Sequence, residues 1–212
     1  MKRLGVIVSF LSLVMLVVAC NNPAADVNKA VTSEAQKAAS PPATGGQTYA
    51  VTPQNSKIEF IGSKVTGSHN GSFEKFTGEI HYVNNDPAQS HVTITIDAAS
   101  VKADDPKLTE HLKTADFFDI AKFPEAKFES TAIKAGGEKG ATHTVTGNLT
   151  LHGVTKSITF PATIAVTADA ATVDANFAIN RKDFGINYPG VQDDLIRDDV
   201  VMKLTIRGNK AS

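Results

Sequence analysis

Carboxylates three residues apart share one side of a helix, and Asp116 and Asp119 have that spacing within Glu110 to Ser130. Such a pair could divide general acid and base roles. An N-terminal helix charge and a solvated helix face would use the same two residues for no chemistry, and that is the plainer reading. The six histidines show neither HxH nor HExxH spacing, so no zinc set is legible and each fits a strand or a turn. Gly67-Ser-His-Asn-Gly71 places its serine second instead of centrally, unlike a nucleophile elbow. Asp193, Asp194, Asp198 and Asp199 lack the spacing of a calcium loop. Asn70-Gly-Ser72 and Asn148-Leu-Thr150 match glycosylation acceptors by pattern alone. These residues point to no catalytic group, no metal and no cofactor.

What the chain concentrates instead is apolar area. Phe117, Phe118, Phe123 and Phe128 fall in a stretch too short to bury them against itself. The spacing of Leu112, Ala115, Phe117, Phe118, Ile120 and Phe123 suits one or two helical turns better than a pleat. Pro124 then ends them and returns the chain to extended form. The aromatic cluster needs a concave receiver. It can plug one end of a barrel or sandwich, or it can be one wall or lid of a pocket for an apolar ligand.

The N-terminus reads as an address, not as fold. Lys2 and Arg3 precede an apolar run, Val6 to Val18, that is short for a membrane span and suits a secretory signal over residues 1–19. The run ends in Leu16-Val-Val-Ala-Cys20, which resembles the lipobox of bacterial lipoproteins, cut before a cysteine that then carries acyl lipid such as palmitate. Cys20 is the only cysteine, so it can form no internal disulfide. Asn21 after it, in place of Asp, favours the outer membrane by analogy with lipoproteins of two-membrane cells. Residues 20–47 are rich in Ala, Asn, Ser, Pro and Gly and read as a disordered tether with a reach of about 30 Å. Without Lys2 and Arg3, 19 basic residues face 22 acidic ones, a net charge near −3 with no basic block. Nucleic acid is therefore a poor partner.

Residues 48–212 suffice for one domain. Alternation predicts about eight strands. Among their inward positions are Ile58 and Phe60; Phe76, Gly78, Ile80 and Tyr82; Val92, Ile94 and Ile96. Later strands turn in Val145, Gly147, Leu149 and Leu151; Ile158, Phe160, Ala162 and Ile164; Val173, Ala175, Phe177 and Ile179; Val200, Met202, Leu204 and Ile206. Asn70-Gly71 predicts a turn within a polar run from Thr66 to Ser72, and Pro161 predicts a bulge or a sheet edge. Hairpin-length connections make this an all-β barrel or sandwich with one helical insertion. Eight strands close on an interior that is either filled or just wide enough for a slender ligand. The small inward residues Gly78, Gly147, Ala162 and Ala175 would leave volume, although they also suit a tapering barrel.

Three motifs in order, Gly147-Asn-Leu-Thr-Leu-His-Gly-Val-Thr-Lys156, Thr114-Ala-Asp-Phe-Phe-Asp-Ile-Ala-Lys-Phe-Pro124 with Phe128-Glu-Ser130, and Arg181-Lys-Asp-Phe-Gly-Ile186, resemble the YceI-like family. Tyr49-Ala-Val-Thr-Pro53 fits as well, and the likeness spans Thr48 to Arg207. The resemblance implies an eight-stranded antiparallel lipocalin-like barrel with a helical segment, holding a polyisoprenoid chain in an apolar channel, with no established catalysis. The expected activity is to bind and carry or sequester a polyisoprenoid, an isoprenoid quinone or a prenyl phosphate on the periplasmic side of a membrane. A cavity enzyme acting on such a lipid and a solid-core interaction domain are the competitors. The oligomeric state stays open, a dimer included. Expected ligand contacts are Phe60, Phe76, Tyr82, Ile94, Phe117, Phe118, Phe128, Leu149, Leu151, Phe160, Phe177, Ile179 and Phe184. Arg181, His152 and Lys156 are candidates for a polar head group. For Arg181 a structural ion pair with a nearby aspartate is the more expected role.

Overall fold

Alternating apolar residues need a closed surface to bury one face, and the chain provides it by returning its last strand to its first. The computed structural model describes residues 22–37 and 45–210. Two short strands come first, β1 (Asn28–Lys29) and β2 (Val31–Glu34). Then follow β3 (Gln47–Val51), β4 (Lys57–Ser63), β5 (Ser68–Phe73), β6 (Phe76–Val83), β7 (Asp86–Asp97), β8 (Val101–Ala103) and the helix α1 (Pro106–Leu112). The second half contains β9 (Glu125–Ala135), β10 (His143–Leu151), β11 (Val154–Val166), β12 (Ala170–Asn180), the short pair β13 (Gly190–Val191) and β14 (Asp194–Leu195), and β15 (Asp199–Lys210). Eight antiparallel strands close a barrel in the order β3, β6, β7, β9, β10, β11, β12, β15 and back to β3. Strand β15 is long enough to pair with β3 at Gly208–Lys210 and with β4 at Val201–Thr205, and β4, β5 and β8 extend the wall beyond the ring.

The two ends differ. At the far end, β6 and β7 turn at Asn84-Asn85, where both residues adopt positive φ (52° and 57°), a conformation asparagine tolerates. Residues 136–142 and 167–169 close the other connections there. The near end holds the β4–β5 turn, α1, residues 113–124, the His152-Gly153 turn and the loop from 181 to 198.

Four sequence expectations change. Residues 22–37 are not a free tether: β2 pairs antiparallel with β11 (Val31 opposite Thr159, Glu34 opposite Lys156), and β1 pairs parallel with β12 (Asn28 opposite Phe177). Strands β11 and β12 pair with each other only from Thr163 and Asp174 to Val166 and Ala171, so the segment wedges into the split where they diverge. Composition predicted disorder because the segment cannot bury itself; here it borrows hydrogen bonds from two strand edges and seats Ala24 and Val27 on Ala178, Val201 and Ile61. Pro161, with no N–H to offer, lies between the strap's register and that of β12.

Asn70-Gly71 is strand, not turn, and Phe60 explains it: a Cβ on Gly71 would stand 2.2 Å from the Phe60 ring. The helix lies upstream of the phenylalanine stretch, because Asp105 caps Leu108 N–H at 2.8 Å and Pro106 occupies the first turn. Residues Thr114 to Phe123 are turns, with Asp119 at φ 45°. The small inward glycines leave no volume, since Ile94 fills the space at Gly78 and Phe128 fills it at Gly147.

Candidate functional site

The interior is apolar along its length and only partly hollow. A central void of about 110 Å³ is lined solely by aliphatic residues, Met202, Phe128, Phe160 and Phe177. It touches no polar side chain because each strand turns its period-two apolar face inward. Towards the far end a second void of about 20 Å³ continues it, sharing Val92, Ile133, Ile164 and Val173 with the first. At the near end a third void of about 200 Å³ is walled by Phe60, Leu108, Leu112, Phe117 and Ile196 and bordered by Gly62, Ser63, Lys64 and His69. Ile58 lines the central void and Phe60, two residues on along the same face, lines the third. Together the three only just reach the ~300 Å³ at which small-molecule pockets begin.

Two aromatic groups partition the space. Phe160 and Phe177 stack inside the barrel with centroids 4.1 Å apart and planes at 12°. At the near end, Phe73 meets Phe60 at 5.8 Å and Phe118 at 5.5 Å, while Phe117 meets His111 at 5.0 Å and Tyr188 at 5.4 Å. The stretch after α1 is thus the cap that the phenylalanine cluster predicted, received by β4, β5 and the loop from 181 to 198.

Of the expected contacts, Ile94, Phe128, Leu149, Phe160, Phe177 and Ile179 line the central void, Tyr82 lines the far one, and Phe60 and Phe117 line the near one. Phe76, Phe118, Leu151 and Phe184 border none of the three; Phe184 is fully enclosed and Phe118 packs on Phe73. Sequence reading favoured aromatics and missed the aliphatic majority, including Ile133, Val145, Ile158 and Leu204. Their signal was the alternation itself.

Arg181 is not a head-group donor. It is 4% exposed, and its guanidinium donates to the carbonyls of Arg197 (3.1 Å), Ile186 (2.7 Å) and Ile196 (3.4 Å) and to Asp198 (3.3 Å). Burial pulls its pKa down against the opposing effect of Asp198. It is the hub that folds the loop from 181 to 198. Lys156 faces outward, paired with Glu34 at 2.6 Å, and His152 bonds Phe184 O at 3.2 Å beneath Phe123. Asp116 and Asp119 serve different partners, His111 at 2.8 Å and Lys122 at 2.9 Å. Asn148 is committed as well: its amide exchanges two hydrogen bonds with Gln36 of the N-terminal strap, at 2.9 and 2.7 Å. Among the described residues no group of three or more acidic, His or Cys side chains is placed to hold a metal. No described helix is long and apolar enough to cross a membrane, and residues 1–21, with the signal segment and Cys20, lie outside the described residues.

Comparison with known proteins agrees with this architecture. A UPF0312 protein of Pseudomonas putida (strain W619) is 38% identical over 136 residues, 61% of this chain and 70% of that protein. The crystal structure of Burkholderia cenocepacia BcnA superposes with a TM-score of 0.65 at 27% identity, over 74% of this chain and 98% of the other. A structure from Saccharophagus degradans, described as a polyisoprenoid binding domain implicated in plant cell wall breakdown, has a TM-score of 0.61 at 17% identity, over 79% and 100% of the two chains. At that identity the likeness concerns the fold. The model of the YceI-like domain matches residues 49–208, which are the ring strands with their near-end cap, and the chain accordingly belongs to the YceI-like family.

Proposed function

We propose that this protein binds a long apolar lipid, a polyisoprenoid or isoprenoid quinone, along the barrel axis, and carries or sequesters it at a membrane to which Cys20 anchors the chain. The observation that carries this reading is the central void, lined by apolar side chains alone. An isoprenoid tail makes no hydrogen bonds, so a site for it needs only area and shape, worth about 25 cal/mol per Å² buried. A cavity enzyme would need polar groups converging on the void, and its lining has none. The related Saccharophagus domain, described as polyisoprenoid binding, supports the same class of ligand.

The empty volume is smaller than such a chain. Binding therefore displaces side chains, and unbranched Met202 and the Phe160–Phe177 stack are the movable elements at the centre. With an acyl anchor at Cys20 the site of action is the cell envelope, at the outer membrane and facing the periplasm, a reading that the lipobox-like Leu16 to Cys20 and Asn21 support. Native mass spectrometry of the purified chain tests the proposal. A co-purifying isoprenoid, or stoichiometric uptake of added menaquinone-4, is expected. Neither an adduct nor uptake, in protein whose fold is confirmed by circular dichroism, would overturn it.

A further inference from the structure

The near end exposes three large aliphatic side chains, Val65 (55%), Val191 (63%) and Leu195 (50%). They are neighbours: Val65 N–H donates to Leu195 O at 3.2 Å, and Val191 and Leu195 belong to the two strands of the β13–β14 hairpin. Lys64 and Ile196, bridged to each other and next to Val65 and Leu195 in the chain, line the 200 Å³ void. The apolar tip is thus the rim of that void.

The N-terminal strap sets how far an anchor on Cys20 can reach. Ala24 is packed on the outer face of the barrel against Ala178, Val201 and Ile61. From Ala24 back to Cys20 the chain spans at most about 14 Å. Val65, two residues past the end of β4, is at most about 14 Å of chain from Ile61, and on the other side the strap's Asp26 O accepts from Lys139 Nζ (2.6 Å) in the far-end connection 136–142. Reach thus allows either end, and exposed aliphatic area selects the near one: among the described residues the other large aliphatic side chain so exposed is Val31, on the strap.

We propose that Val65, Val191 and Leu195 are a bilayer-contacting tip that seats the barrel end-on, so that the near void opens onto the lipid from which the ligand is drawn. The proposal rests on the reading of Cys20 as acylated and of the barrel as lipid-binding. Three aliphatic side chains hold no protein at a membrane alone; they orient one that an acyl anchor already holds. The hairpin also carries Asp193 and Asp194. Asp194 is tied to Lys64 and Thr66, and these bonds keep its carboxyl below the usual carboxylate range. Acidic groups at the tip favour zwitterionic over anionic surfaces.

The test uses the full chain in phosphatidylcholine–phosphatidylethanolamine vesicles, labelled with a fluorophore at Val191→Cys, or at Ala88→Cys on the far end. Spin-labelled lipid is expected to quench the label at 191 several-fold more than the label at 88, and adding phosphatidylglycerol to reduce the contrast. Equal quenching at both positions, or none at 191 while intact mass shows acylated Cys20, overturns the tip. Self-quenching at 191 without vesicles means a second copy covers it, which also overturns it. A contrast in chains lacking the acyl mass keeps the tip and removes the anchor; no contrast in such chains removes both. The variant Val65→Ser/Val191→Ser/Leu195→Ser is expected to slow menaquinone-4 uptake from vesicles several-fold and to leave uptake from micelles unchanged. If the unsubstituted chain takes up none from micelles, the lipid-binding reading falls while the quenching contrast still supports the tip.

Discussion

The two ends of this barrel are built from the same strands and solve opposite problems. At the far end the strands are joined by turns of a few residues, and the void beneath them measures about 20 Å³. At the near end they are joined by a capped helix, an aromatic cap and a loop folded around Arg181, over a void of about 200 Å³. Short turns let side chains from opposite walls meet and fill the space. Long connections hold the walls apart and must be tied down by buried polar groups. The larger void therefore lies at the end that is costlier to fold.

The sharpest way to break that difference is Arg181→Met. It leaves the carbonyls of Ile186, Ile196 and Arg197 without their donor and should cost about 3 kcal/mol. Urea denaturation gives the size, and hydrogen exchange should show protection lost over 181–198 while the far-end turns keep theirs. Equal loss at both ends would mean that the near end is no separate unit.

Filling the voids one at a time sharpens it further. Val145→Phe places a ring in the central void and should weaken menaquinone-4 uptake by tenfold or more, about 1.4 kcal/mol. Val166→Phe fills the far void and should leave uptake unchanged. Titration by intrinsic fluorescence or native mass spectrometry distinguishes them, and a loss with Val166→Phe would show that the ligand runs the whole axis.

The strap joins the near end to the wall. Ala30→Pro removes the bond from Ala30 N–H to Ala178 O, 2.8 Å long, at a cost of about 1 kcal/mol. The expected result is rapid cleavage after Glu34 by the glutamate-specific V8 protease, with the barrel intact. Resistance equal to that of the parent would show that the strap is held by other contacts.

The smallest effect lies in the wall at His91. Burial holds its imidazole below the ordinary value, more than Glu129 raises it, and its ring stands 3.3 Å from Ser130 Oγ. The folded chain thus keeps His91 neutral where the unfolded chain takes up a proton, so it costs stability as pH falls below about 6.5. In His91→Gln, melting temperature should decline less steeply between pH 7 and 5. An unchanged slope would assign the acid sensitivity to other groups.

Much of this was legible in the residues. Alternation in β7, β10, β11, β12 and β15 named the inward faces, and most of the central void is lined from them. Polar connections such as Asn84-Asn85 placed turns correctly, because their φ demands are local. Asn70-Gly71 misled because the same glycine that permits a turn also lets Phe60 lie across a strand, and only the partner decides which. The near-end loop has no period to read, so the ion pair of Arg181 with an aspartate was legible, and Asp198 supplies it, but its three carbonyl acceptors were not.

Sequence alone determined that strands alternate, that the interior is apolar and that the phenylalanines after α1 need a receiver, since each of these follows from residues a few positions apart. Tertiary structure alone decided how much space remains inside, that Arg181 is spent on carbonyls, and that residues 22–37 complete the wall. Those depend on how strands far apart in the chain splay and meet. A void, a committed guanidinium and a strand completing a split wall are relations between distant parts, and no local period encodes them.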